Sequence, residues 1–267
     1  MSIILIAVMV MANKLRDLLN QNKPTMGTHM SSPLPHLWEV IGSTGLFDYI
    51  EHTPQYGPWD LSDLDNMCRA AELTNTSTVI KIDRNPKDFF AQRAIAGGFN
   101  GILFADIMTA AEAKDCVKAV RLPPVGTNGW INTRGIPRGD WVDVTDNIVI
   151  AIMLEKKTLM DELEDVLAID GVDMIQFGPM DYSLSLRTPG QPFNRADFQE
   201  QVNTDMDKAY QMAIDAGVRP RVEFSNPDRW QYYIDRGVRD FCIGSDTGMI
   251  RSWCMEYGTK LREVLGK

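Results

Sequence analysis

The chain has 267 residues, 44% of them apolar, and carries a net charge of −9 with a pI near 4.9. That is enough material for one large core, and an acidic surface excludes the basic face that nucleic acid requires. The apolar opening, residues 1–10, is half the length a membrane-spanning helix needs, and it lacks the basic leading region of a signal peptide.

Met11 is the expected start, with residues 1–10 a dispensable extension and 11–267 a single domain. Cys68, Cys116, Cys242 and Cys254 are too scattered for a zinc or redox motif, and His29, His36 and His52 form no HxH or HExxH pair. A cytoplasmic protein with reduced thiols is the simplest expectation.

Leu15, Leu18 and Leu19 follow helical spacing across residues 13–22. After them, short apolar runs alternate with amphipathic stretches. The runs, at 25–30, 47–53, 78–82, 101–104, 148–154, 174–177, 218–223 and 240–243, predict eight strands. The stretches between them, including 61–72, 88–96, 110–120, 159–169, 195–216 and 226–236, predict helices. Strands alternating with helices imply βαβ units, and eight units imply a closed α/β (β/α)8 TIM barrel. There is no GxGxxG after the first strand and no Walker loop. Residues 122–147 read as a long irregular loop, in which Trp130, Arg134, Arg138 and Trp141 could serve a substrate or a subunit contact.

Active sites of such barrels lie at the C-terminal strand ends. There the sequence places Lys81 and Asp83, Asp106, Glu155, Asp181, Glu223 and Asp246. Carboxylates converging on a poorly solvated pocket repel one another unless a cation holds them. Oxygen ligands without His or Cys favour Mg²⁺ or Mn²⁺ over zinc, with Co²⁺ a third candidate. Glu155 and Asp181 are the expected ligands, while Asp106, Glu223 and Asp246 read as rim salt bridges or helix caps.

Leu154-Glu155-Lys156, then Gly171-Val172-Asp173, then Phe177-Gly178-Pro179-Met180-Asp181-Tyr182-Ser183 resemble the Ile-Glu-Thr, Gly-Val-Asp and Gly-Pro-x-Asp-Leu-Ser motifs of the HpcH/HpaI aldolase family. Leu122-Pro123-Pro124 and Ile243-Gly244-Ser245-Asp246-Thr247 add to a likeness that runs from Lys23 onward. The family makes or cleaves bonds at the methyl carbon of pyruvate. The resemblance implies a phosphoenolpyruvate/pyruvate-type barrel in which Glu155 and Asp181 ligate the metal. A 2-oxo acid would chelate it through keto and carboxylate oxygens, with the carboxylate received by Gly178, Pro179, Met180 and Asp181. A carbon–carbon lyase acting through a pyruvate enolate is the implied activity, and a homo-oligomer, by resemblance a hexamer, the implied assembly. Residues 249–265 could pack on a neighbouring barrel or form the eighth helix of their own.

The proton-transfer positions depart from the family. Its Asp-x-Glu-His-(Gly/Ala)-Pro is matched either by Glu51-His52 or, in the ungapped register, by Gln55-Tyr56. In that register Tyr56 takes the base position and His52 is a buried, hydrogen-bonded histidine. Lys81 replaces the family's arginine, keeping the charge without the bidentate fork. The assisting aspartate falls at Ala96 and a glutamine near the metal at Met153. Alternatives to the lyase are an oxaloacetate-type decarboxylase or hydrolase, Schiff-base chemistry at Lys81, or a 2-oxo acid binding protein that has lost catalysis.

Overall fold

The computed structural model describes residues 13–130, 134, 140–224 and 226–267. The extension assigned to 1–10 lies outside them. Eight parallel strands close a barrel in sequence order: β1 (Thr25–Met30), β2 (Tyr49–His52), β3 (Ser77–Asp83), β4 (Gly101–Ala105), β5 (Val149–Leu154), β6 (Met174–Phe177), β7 (Arg219–Glu223) and β8 (Asp240–Ser245). All eight strands stand where apolar runs predicted them, with ends shifted by up to two residues. β2 is the most shortened: its expected start at 47–48 is turn, where Asp48 accepts from Met26 N–H and pairs with Lys14.

Side chains alternate across each strand. One set packs outward with Trp38, Ile50, Phe104, Ile152 and Phe177 against the helices. The other fills the barrel with Tyr49, Val79, Leu103, Val149, Ala151, Met153, Met174 and Cys242. The helix Lys14–Asn20 closes the bottom, inserting Leu15 into that inner cluster. Tyr49 lies flat over Gly27, where a Cβ would stand 2.2 Å from its ring, so β1 needs glycine there to admit the phenol.

The expected helix 159–169 is two short ones, Lys157–Asp161 and Leu163–Leu167, broken at Glu162, whose carboxylate leaves to accept Ala110 N–H at 2.7 Å. Three helices among the described residues went unanticipated: Pro35–Ser43 and Pro179–Ser185, each opened by proline in its first turn, and Trp141–Asp146. The expected substrate loop also changes character. Trp141 begins a helix, Trp141–Asp146, and is only 6% exposed in the core; Arg134 pairs with Glu72. Trp130 is solvent-exposed, and Arg138 lies outside the described residues.

Past β8 the chain continues as Asp246–Trp253, a π-helical turn Cys254–Gly258 and Thr259–Val264. Ile250, Trp253, Met255, Leu261 and Val264 are exposed along this arm. The arm therefore does not pack as the eighth helix of its own barrel. The outer surface where such a helix would lie remains an apolar groove of about 560 Å³ between Trp230, Ile234, Phe241 and Ile243.

Candidate active site

A cavity of about 770 Å³ opens at the C-terminal ends of the strands. One wall comes from β3, β5 and the turn after β6: Lys81, Met153, Gly178, Pro179, Met180 and Asp181. The other comes from β1, β2, β7 and β8 with the helix beyond: His29, Glu51, Glu223, Ser245, Thr247 and Ser252. Tyr56 stands at the mouth, 65% exposed.

Glu155, one residue past β5, is 2% exposed and lies immediately behind Gly178. A Cβ at position 178 would stand 2.8 Å from Glu155 Cβ and 2.9 Å from its Oε2, so the motif glycine lets backbone and carboxylate touch. Glu155 Oε1 accepts Asp106 N–H at 2.6 Å, and Asp106 presents that N–H from a left-handed backbone (φ 58°). Burial raises the Glu155 pKa, opposed by that hydrogen bond and by Lys81. Oε2 accepts no hydrogen bond from any described residue. Asp181 projects from the first turn of Pro179–Ser185, is exposed, and likewise accepts no hydrogen bond from any described residue at its carboxylate. Lys156 pairs with Asp106 at 2.5 Å and also feels Glu155 and Asp181, and these contacts outweigh burial to raise its pKa.

Among the described residues no group of three or more His, Cys, Asp or Glu is arranged to hold a metal ion. Two carboxylates suffice for Mg²⁺, which keeps several waters and commonly takes one or two protein carboxylates. A buried carboxylate with an unmatched oxygen, backed against a glycine, fits a hard divalent cation.

Lys81 reaches up from β3 to donate to Tyr56 Oη at 3.1 Å. Burial alone would lower the Lys81 pKa, but Tyr56, Glu155 and Glu51 together raise it, so the ammonium is retained. The short 3₁₀ turn Pro54–Tyr56 is pinned a second time by Gln55, which donates to Asp83 at the end of β3. The ungapped register thus brings Tyr56 to the pocket. His52 points the other way, toward the helices, between Trp38 and Trp59, with Nδ1 3.1 Å from Met30 O. Ala96 falls in the outer helix Lys87–Gly97 and does not line the cavity, while Met153 does.

Burial holds the His52 pKa down to about 4, so the folded protein keeps it neutral where the unfolded chain protonates it near 6.5. Stability is then lost as pH falls from 6.5 to 4, by roughly 3 kcal/mol. Urea denaturation of His52→Phe should show that window flattened; a slope equal to that of the wild type would show that His52 is not its source.

The rim carboxylates divide. Asp246 ties loop to helix by accepting Ser31 Oγ, Ser32 N–H and Thr247 N–H, and Asp106 forms its ion pair with Lys156, both as expected. Glu223 is not merely a rim pair. It belongs to a ring inside the barrel that motif reading missed: His29 lies 3.2 Å from both Glu51 and Glu223, Glu51 lies 2.5 Å from Arg221, Arg221 Nε donates to Gln176 at 2.6 Å, and Gln176 donates to Glu223 at 2.6 Å. The detectable signal was strand parity, which turns residues 29, 51, 176, 221 and 223 inward with the apolar interior set.

A parallel eight-stranded barrel with a carboxylate-lined mouth defines a class of enzymes working at the strand ends. Residues 51–251 match the family model HpcH/HpaI aldolase/citrate lyase, and the chain belongs to that family. It is a carbon–carbon lyase of the metal-dependent aldolase type. It is 25% identical over 248 residues to the 5-keto-4-deoxy-D-glucarate aldolase of Klebsiella pneumoniae, covering 91% of this chain and 94% of the relative. Among solved structures, citrate synthase SbnG superposes with a TM-score of 0.84 at 21% identity, covering 96% of this chain and 100% of the other. A CitE protein of Mycobacterium tuberculosis, described in complex with magnesium and pyruvate, superposes at 0.54 with 13% identity, covering 83% of this chain and 84% of its own. The family match and the named aldolase relatives favour the lyase over the decarboxylase, hydrolase and binding-protein readings.

Proposed function

We propose that the chain cleaves or forms the C3–C4 bond of a 4-hydroxy-2-oxo acid, the bond at the methyl carbon of the pyruvyl unit, with Glu155 and Asp181 holding Mg²⁺ or Mn²⁺. The observation that carries this reading is the buried Glu155, fixed by Asp106 N–H and abutting Gly178 beside Lys81. A bound divalent ion would supply Lewis acidity to the keto oxygen. The backbone of the 178–181 turn, opening a helix, receives the substrate carboxylate. Lys81 stabilises the negative charge that develops on the keto oxygen. Tyr56 holds and moves the proton at its Oη, next to the Lys81 ammonium. The expected result is pyruvate release from 4-hydroxy-2-oxo acids with added Mn²⁺ or Mg²⁺. Lys81→Met should lower kcat about a hundredfold or more. If no 2-oxo acid is turned over with either ion, the reading is wrong.

The same reading makes the chain a homo-oligomer, by resemblance a hexamer. Support comes from two surfaces that complement each other, the exposed apolar arm after β8 and the empty apolar groove over β8 and β1. An arm from one barrel filling the groove of another covers both. Sedimentation should give an assembly for the full chain and a monomer for Trp253→Asp/Leu261→Asp; a monomeric wild type would refute it. No helix among the described residues is long and apolar enough to cross a membrane. All four cysteines are unbridged, which supports a cytoplasmic location.

A further inference from the structure

The cavity has two chemically different walls, and the 2-oxo acid reading uses only one. Lys81, Met153 and the 178–181 turn serve the keto and carboxylate groups. The opposite wall, from β1, β7, β8 and the helix Asp246–Trp253, faces whatever lies beyond the bond that breaks.

On that second wall the charges are already matched, with one exception. Arg221 is 2% exposed and engaged by Glu51 and Gln176. Glu51 is fully buried between Arg221 and His29. His29 lies between Glu51 and Glu223, and Ser31 donates its hydroxyl proton to Asp246. Glu223 alone keeps a large open surface, its side chain 43% exposed to the cavity. His29 and Gln176 each hold one of its oxygens, at 3.2 and 2.6 Å. A carboxylate offers about four acceptor sites, so two remain to receive donors from the cavity.

We propose that Glu223 reads the half of the substrate beyond the pyruvyl unit, and that this half carries hydroxyl donors and no acidic group. The proposal rests on the 2-oxo acid reading above. Among the described residues that line the cavity on this wall no unpaired cation is left to receive a carboxylate or phosphate, and an anionic tail there would lie against Glu223 uncompensated. Two such charges in a partly desolvated cleft repel strongly, whereas a hydroxyl gains a charge-assisted hydrogen bond. His29 and Gln176 are positioning residues: they aim the carboxylate without touching the substrate.

The test is condensation of pyruvate with glycolaldehyde or glyceraldehyde, compared with glyoxylate or succinic semialdehyde, in the presence of Mn²⁺. The ratio of kcat/KM between hydroxylated and acidic aldehydes cancels any effect on the shared pyruvate step. The wild type should favour hydroxylated aldehydes by about tenfold or more, and Glu223→Gln should erase most of that ratio. His29→Gln should raise KM for the hydroxylated aldehyde with a smaller effect on kcat, which a merely structural role would not separate. Should Glu223→Gln fail to fold, Glu223→Asp withdraws the carboxylate by one methylene and should lower the same ratio. A wild type that prefers acidic aldehydes, or variants that leave the ratio unchanged, overturn the proposal. Deuterium uptake into the pyruvate methyl group by the wild type separates the two failures: present, only the Glu223 assignment falls; absent, with no condensation, the 2-oxo acid reading falls as well.

Discussion

Glu155→Gln should lower kcat/KM at least about a thousandfold in Mn²⁺ or Mg²⁺, a loss of roughly 4 kcal/mol of transition-state stabilisation. The substitution keeps the shape of the side chain and removes its charge and one hard oxygen. The metal-free fold should not suffer. Burial raises the Glu155 pKa, so above that pKa the folded state carries an ionised carboxylate at a cost the unfolded chain does not share. An amide removes that cost, and the apo variant should melt at or above the wild-type temperature. Millimolar Mn²⁺ should raise the melting temperature of the wild type and leave Glu155→Gln unmoved, because only a ligand that binds the native state stabilises it. An equal metal-induced shift in both proteins would remove Glu155 from the ligand set, whatever its activity.

Arg221→Met should cost about 3–5 kcal/mol of folding stability, the usual result of stranding one member of a buried ion pair. Arg221 and Glu51 sit in the barrel interior at 2% and 0% exposure. Burial opposes the Glu51 charge, yet Arg221 and His29 hold its pKa down to about 2. A carboxyl depressed in this way contributes stability above pH 4.5 and loses it as pH falls toward 2. Without Arg221 that contribution reverses at neutral pH. Arg221→Met/Glu51→Leu should recover much of the loss, since two apolar side chains strand no charge. Chemical denaturation of the two variants decides it. A single mutant less than about 1 kcal/mol below the wild type would mean water or another group already meets Glu51.

The barrel was legible because parallel strands buried on both faces are written as short apolar runs, here alternating with amphipathic stretches. The positions of Glu155 and Asp181 just beyond β5 and β6 were legible because both fall inside spaced motifs. The interior ring was not. His29, Glu51, Gln176 and Arg221 are far apart in sequence, and none belongs to a metal or nucleophile pattern. Only the parity of each strand turns them inward together. Parity also separates Glu51 from His52, adjacent residues of β2: the first enters the ring, the second packs against Trp38 and Trp59. Trp141 and Arg134 resisted reading for the opposite reason, since a Gly- and Pro-rich stretch conceals a buried helix start, and Arg134 reaches residues some sixty or more positions away, Asp65 and Glu72. The fate of residues 249–265 was undecidable from amphipathicity, which specifies that a face is covered and not by which barrel.

The helix Asp246–Trp253 has two occupations along its length. Thr247, Gly248, Met249 and Ser252 wall the cavity, and Ile250 and Trp253 begin the exposed arm. One rigid element therefore spans the substrate chamber and the surface offered to a neighbour. If the arm is seated in another barrel, the two events share a free energy: substrate that steadies the wall favours assembly, and assembly tightens substrate by the same factor. Such an enzyme would weaken on dilution, its apparent KM rising as the protein falls below its own dissociation constant.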